Sequence, residues 1–141
     1  MRLFYILFLA ISFTACQQSS CADFDLKGHW QVESVELDDP DGMMKELVEE
    51  NQGNYESYLE SIKQFEDIEY YFKDSNIVYI VNPEEVGESG EEIYDYKNGS
   101  NNIVLGGRVF DFSVQDCESI TITDVAMQGT ANFIMICKKL D

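Results

Sequence analysis

From residue 24 onward the chain is written mostly in a period of two, interrupted once by a period of three to four. In residues 26–37, Leu26, Gly28, Trp30 and Val32 share one parity, and Lys27, His29, Gln31 and Glu33 share the other. That alternation marks a strand with one dry and one wet face. Gly28, two places before Trp30, leaves backbone without a side chain for the indole to fold over. Asp38, Asp39, Pro40, Asp41 and Gly42 stop the strand, because proline lacks a donor and Asp-Gly favours a turn. The same aspartates suit the positive end of a helix that begins there.

Across residues 43–65 the period changes. Met44, Leu47, Val48, Tyr55, Tyr58, Leu59, Ile62 and Phe65 recur at helical spacing, with Lys and Glu between them. Asn51, Gln52, Gly53 and Asn54 interrupt the pattern, so it predicts either two helices with a hinge or one bent helix. Period two then returns. Strands are expected at residues 68–72, 77–82, 91–97, 102–105, 108–114, 119–125 and 131–138. The breaks fall at residues 73–76, at an acidic loop over 83–90, at 98–101, at Gly106-Gly107 and at Gln128-Gly129. With the first strand this makes eight, at hairpin spacing. The predicted fold is therefore mainly β: an eight-stranded antiparallel up-and-down barrel over residues 24–141, with a helical insertion after its first strand. Closure would also remove the strand edges that such a sheet otherwise presents.

The length of 141 residues fits one domain with a real core. Aromatic residues at 13% are too many for a disordered tail. The formal charge of -18 repels phosphate backbones, which argues against nucleic-acid partners. It also repels anionic lipid headgroups, so membrane attachment needs something other than a basic patch.

The first residues supply that something. Met1-Arg2 precedes an apolar run from residue 3 to 13, too short to span a bilayer and built like the core of a signal peptide. Phe13-Thr14-Ala15-Cys16 resembles the bacterial lipobox, with Phe where Leu is usual. The resemblance implies a signal peptide over residues 1–15, lipidation of Cys16 and a flexible tether over residues 16–23, and so a membrane partner engaged through N-terminal lipid. The other reading is an ordinary secretory signal cleaved near Ala15. Gln17 is not the Asp that resembles an inner-membrane retention signal, which points to the outer membrane, and the lack of a dense acidic cluster after Cys16 points to its periplasmic face. In that oxidising compartment Cys21, Cys117 and Cys137 allow one bridge and one leftover thiol. Pairing of the last two strands would bring Cys117 and Cys137 nearly opposite each other, and that bridge is the first expectation. A bridge from Cys21 to Cys117 or Cys137 is the rival.

The order of strand, helix and seven strands, headed by Gly28-His29-Trp30, resembles the lipocalin-like domains of bacterial lipoproteins over residues 24–140. The resemblance implies a basic side chain of the last strand, Lys138 or Lys139, packed across Trp30. The helical insertion departs from the lipocalin plan and looks more like the helical portal of fatty-acid-binding proteins.

Catalytic chemistry has little to draw on. His29 is the one imidazole, expected on the wet face, and neither a zinc cluster nor a nucleophile elbow accompanies it. Asp38, Asp39 and Asp41 could suggest calcium, but their spacing lacks the later bidentate Glu of an EF-hand loop, and helix initiation accounts for them. A non-enzyme without cofactor, metal or catalytic residues is expected. The candidate ligand pocket is the barrel interior, lined by Trp30, Val32, Tyr70, Phe72, Tyr79, Tyr94, Tyr96, Phe110, Phe112 and Phe133. Apolar walls with a few phenol hydroxyls suit a small hydrophobic or amphiphilic ligand, with residues 43–65 as its gate. The alternative is a barrel filled solid by these side chains, in an accessory or inhibitor lipoprotein that acts on a protein partner.

Overall fold

A computed structural model of the chain describes residues 21–126 and 131–141, and the side chains of these except Val125 and Ala126. The signal peptide, the lipobox, Cys16 and the Gln128-Gly129 reversal lie outside the described residues. Eight strands form a closed barrel: β1 (Gly28–Asp38), β2 (Glu69–Phe72), β3 (Ile77–Val81), β4 (Gly90–Asp95), β5 (Asn102–Leu105), β6 (Arg108–Asp116), β7 (Ser119–Ala126) and β8 (Ala131–Lys139). Every neighbouring pair is antiparallel, and the seam is closed by β1 against β8. Two helices, α1 (Met43–Glu50) and α2 (Tyr55–Ile62), with a 3-10 turn (Lys63–Phe65), follow β1.

The helical interruption is a true break. Gly53 donates its N–H to the Val48 carbonyl, and a Cβ on it would lie 2.8 Å from that oxygen. Asn54 then caps α2, its side chain accepting from the Ser57 N–H at 2.9 Å. At α1 the Asp39 carboxylate accepts from the Met44 and Lys45 N–H groups at 3.1 and 3.0 Å. It thus supplies the helix-starting contact that competes with a calcium reading of the Asp38–Asp41 cluster.

Strict alternation fails inside β1. Val32 pairs with Cys137, but the next pairs are Ser34 with Ile136 and Val35 with Met135, so Glu33 is an extra residue on the β1 side. This bulge switches the inward parity from even to odd, from Trp30 and Val32 to Val35 and Leu37. The core runs along the barrel axis. Trp30, Ile103, Ile120, Ile122, Val32, Val78 and Cys137 are essentially inaccessible. Each large aliphatic among them contributes about 1.5–3 kcal/mol of burial free energy.

The two ends of the barrel differ. At one, Phe24 and Leu26 from the leader plug the floor, and Phe24 lies against Trp30, Tyr96 and Phe112 with ring centroids 6.1–6.2 Å apart. The Trp30 indole N–H donates to the Leu26 carbonyl at 2.8 Å. Lys139 is the last-strand cation that packs across Trp30, with Nζ 5.5 Å from the ring, while Lys138 is exposed. Gly28 has a different task from the one expected. It sits at φ +121°, and a Cβ there would come within 3.0 Å of Lys139 Cε and 3.1 Å of Asp141 Oδ1, so the space serves the last strand and the C-terminal residue. At the other end the helices, the 83–90 loop and the Gly106-Gly107 turn surround a mouth.

Among the described residues one disulfide is present, between Cys21 and Cys117. The first expectation, Cys117 with Cys137, is overturned by orientation. Cys137 points into the barrel, is wholly buried and pairs across the sheet with Ile120, whereas Cys117 lies in the exposed turn between β6 and β7. Cys137 is a free thiol, and burial pushes its pKa up to about 12.

Candidate functional site

Beneath α2 the barrel is open. A cavity of about 580 Å³ enters the mouth, with Ile68, Tyr70, Ile80, Phe133 and Met135 as its wall. Tyr58, Ser61, Ile62, Gln64 and Phe65 from α2 and the following turn roof one side. Phe65 meets Phe133 edge to face at 5.2 Å, which joins the roof to the wall. The 83–90 loop forms part of the rim. Asn82 ties it down, donating its N–H to Ser89 Oγ at 3.0 Å and its side-chain N–H to the Glu88 carbonyl at 2.7 Å, and Val86 of the loop lines the cavity. Arg108 and Asp124 face each other across the rim at 2.7 Å, and the guanidinium lies 5.3 Å from the Phe110 ring.

At the base of the cavity the Tyr70 hydroxyl reaches Met135 Sδ at 3.7 Å, a weak acceptor. Burial pushes the Tyr70 pKa above its ordinary value, with Cys137 close by as a lesser cause, so the phenol stays protonated and keeps its donor. The chemistry on offer is an apolar slot, one buried O–H at depth and a polar collar of Asn82, Arg108 and Asp124 at the opening.

The predicted pocket residues divide into three groups. Tyr70 and Phe133 line the cavity. Trp30, Val32, Phe72, Tyr94 and Phe112 are buried in the packed half below it, and Phe110 and Tyr96 pack on that core half-buried. Phe72 and Tyr94 meet edge to face at 5.0 Å, and Tyr96 and Phe112 at 4.7 Å, which leaves no space between them for a guest. Tyr96 and Phe112 also border a smaller cleft of about 270 Å³ on the floor side, beside Cys21 and the 98–101 turn. Tyr79 is a correction: it faces outward, 37% exposed, under the Lys73 ammonium at 5.7 Å. Its strand is apolar on both faces, so alternation could not assign the dry side; Val78 and Ile80 hold it.

Met135, read from the sequence as an inward position, also lines the wall. Ile68 and Ile80 are not singled out by the sequence as lining: they carry ordinary strand parity, and nothing in a one-dimensional pattern separates a side chain that lines a space from one that fills it. Of residues 43–65, expected as a gate, only α2 and the turn after it roof the cavity; α1 does not line it.

His29 is less exposed than its place on the wet face suggests. Its ring stacks on Tyr71 at 4.0 Å, its Nε2 lies 2.7 Å from Glu69 Oε2, and Tyr71 donates to the same oxygen at 2.6 Å. The Tyr71 hydrogen bond, with His29 as a smaller contributor, holds the Glu69 carboxyl below its usual range. The cluster lies on the outside wall near the closed end, away from the cavity. It ties β1 to β2, and the Asp141 carboxylate adds the C-terminal residue by accepting the His29 N–H at 2.8 Å. Among the described residues, no three His, Cys, Asp or Glu side chains converge as a metal site, and no helix is long and apolar enough to cross a membrane.

No family model, curated protein or solved structure matches this chain. The class that the geometry defines is a small closed antiparallel barrel, half packed and half open, with a helical roof over its mouth.

Proposed function

We propose that this is a non-catalytic, lipid-anchored protein of the bacterial envelope, similar to lipocalin-like lipoproteins, that holds a small hydrophobic ligand in the open half of its barrel. The observation that carries the reading is the cavity of about 580 Å³, which falls inside the range of roughly 300–1,000 Å³ common for small-molecule sites. Its apolar wall, its single buried phenol and its polar collar match a molecule with a long apolar body and a modest polar end. The lipobox-like Phe13-Thr14-Ala15-Cys16 supports the anchor, and Gln17 in place of an Asp favours the outer membrane, facing the periplasm.

The test is titration with a neutral apolar fluorophore such as N-phenyl-1-naphthylamine, together with native mass spectrometry of protein purified from its own host. Saturable one-to-one fluorescence enhancement, weakened in Ile80→Trp where the indole projects into the cavity, is the expected result. Enhancement that never saturates, or that survives Ile80→Trp unchanged, would falsify the reading.

A second reading is a protein-interaction role on a barrel that carries no small ligand. It is favoured by two apolar side chains on the outer wall, Ile93 and Val109, 72% and 65% exposed. An unliganded mass and a dry titration, combined with capture of a partner lost in Ile93→Asp/Val109→Asp, would support it over the first.

A further inference from the structure

The disulfide and the mouth lie at opposite ends of the barrel. Cys117 sits in the turn from β6 to β7, which shares one end with the start of β1 and the end of β8. The mouth is built where β1 ends, where β3 passes to β4 and where β5 turns into β6. Cys21 is therefore pinned under the floor, and Cys16 precedes it by only five residues. A span of that length reaches at most about 17 Å when fully extended. The barrel is taller: the eleven residues of β1 rise about 36 Å along the strand, or about 25–30 Å along a tilted barrel axis. Without the bridge, the eight residues from Cys16 to Phe24, which stays packed under the floor, could reach about 27 Å, about the height of the barrel, so that the mouth as well as the floor comes within reach of the anchor.

Charge points the same way. Lys27, Lys73, Lys97, Lys138 and Lys139 belong to the closed end, where Asp23, Asp25, Asp74, Asp95, Asp116, Glu118 and Asp141 slightly outweigh them, while the far more acidic mouth has only Lys45, Lys63 and Arg108. Around the mouth lie the Asp38–Asp41 turn, the glutamates of both helices and Glu84, Glu85 and Glu88 of the rim loop. An anionic headgroup surface repels that end, and the repulsion is felt within about 10 Å of the surface.

We infer that the Cys21–Cys117 bridge orients the barrel on its membrane, with the closed end against the phospholipid headgroups and the cavity mouth opening away into the aqueous phase. The inference rests on the proposed lipidation of Cys16. A ligand then enters and leaves through water, or from a second protein or membrane facing the mouth, and not by sliding in from the bilayer that holds the anchor.

The experiment uses the full-length, lipidated protein in vesicles of phosphatidylethanolamine and phosphatidylglycerol. One fluorophore is placed at the closed end through Lys97→Cys or at the rim through Glu85→Cys; both positions are exposed, and the buried Cys137 stays unlabelled. Headgroup spin-labelled lipid should quench the Lys97 site several-fold more than the Glu85 site. Adding Cys21→Ser/Cys117→Ser should bring the two towards equality while the protein still floats with the vesicles. Equal or reversed quenching in a protein that floats overturns the orientation alone. An orientation untouched by removal of the bridge overturns the role given to the bridge. Protein that fails to float, and whose N-terminal peptide carries no acyl mass, overturns the lipidation reading and the inference with it.

Discussion

Removing the bridge in Cys21→Ser/Cys117→Ser gives the largest stability change that one feature of this barrel predicts. The two cysteines are 96 residues apart, so the cross-link closes six of the eight strands and both helices into one loop. Loop-closure entropy for that length is about 4–5 kcal/mol at 25 °C, to be set against a total of about 5–15 kcal/mol for a domain of this kind. The native state loses less, because Phe24 and Leu26 keep their packing under the floor without the bridge. Most of the effect therefore acts on the unfolded chain, which becomes freer when the link is gone. Urea unfolding followed by Trp30 fluorescence suits the measurement, since Trp30 is the single tryptophan and is fully buried. The variant should unfold at lower urea, with a steeper slope from its more expanded unfolded state, and melt about 10–20 °C lower. A loss below about 1 kcal/mol would refute the reasoning, as would peptide mapping that links Cys117 to Cys137.

Three further outcomes follow from particular contacts. Gly28→Ala puts a methyl at φ +121° against Lys139 and Asp141, and should cost about 1–3 kcal/mol in chemical denaturation, more than Gly90→Ala, where a Cβ meets open space. Glu69 is held below its usual pKa, so its stabilising share is present above about pH 4.5 and is lost as the pH falls through its depressed value. Tyr71→Phe removes the leading cause, so the Glu69 carboxyl should titrate higher by NMR, and the stability gap to the parent should shrink on acidification; a gap independent of pH would contradict the assignment. Cys137, buried and with its pKa raised to about 12, should resist a thiol reagent until the barrel opens, so that labelling tracks unfolding in urea; prompt labelling of the native protein would place this thiol elsewhere.

The barrel was legible from alternation and turn chemistry because each strand had to keep one face dry, and the helical break at Asn51 to Asn54 was legible from glycine and polar residues in a helical period. Three things were not. The bulge at Glu33 leaves no local mark, since Val32 and Val35 read as two ordinary hydrophobic positions until the partner strand fixes the register. Tyr79 lies on a strand apolar on both faces, where parity carries no information. The bridge joins a leader to a turn 96 residues away, and only the folded floor brings them together. The cavity is a harder case of the same kind: Tyr70 and Phe72 have the same residue class and parity, but one lines open space and the other is packed against Tyr94, because the barrel is filled from its floor upward.

The β1–β8 seam has a consequence in time. The strand that begins the barrel finds its longest partner at the far end of the chain, Trp30 beside Lys139 and Asp38 beside Asn132. During synthesis, β1 stays without that partner until β8 has emerged, and its dry face is exposed or shielded by other factors meanwhile. Closing contacts across so much sequence makes folding slow compared with helical proteins of similar size. The interval before closure, more than the finished barrel, is when this chain is open to mispairing and aggregation.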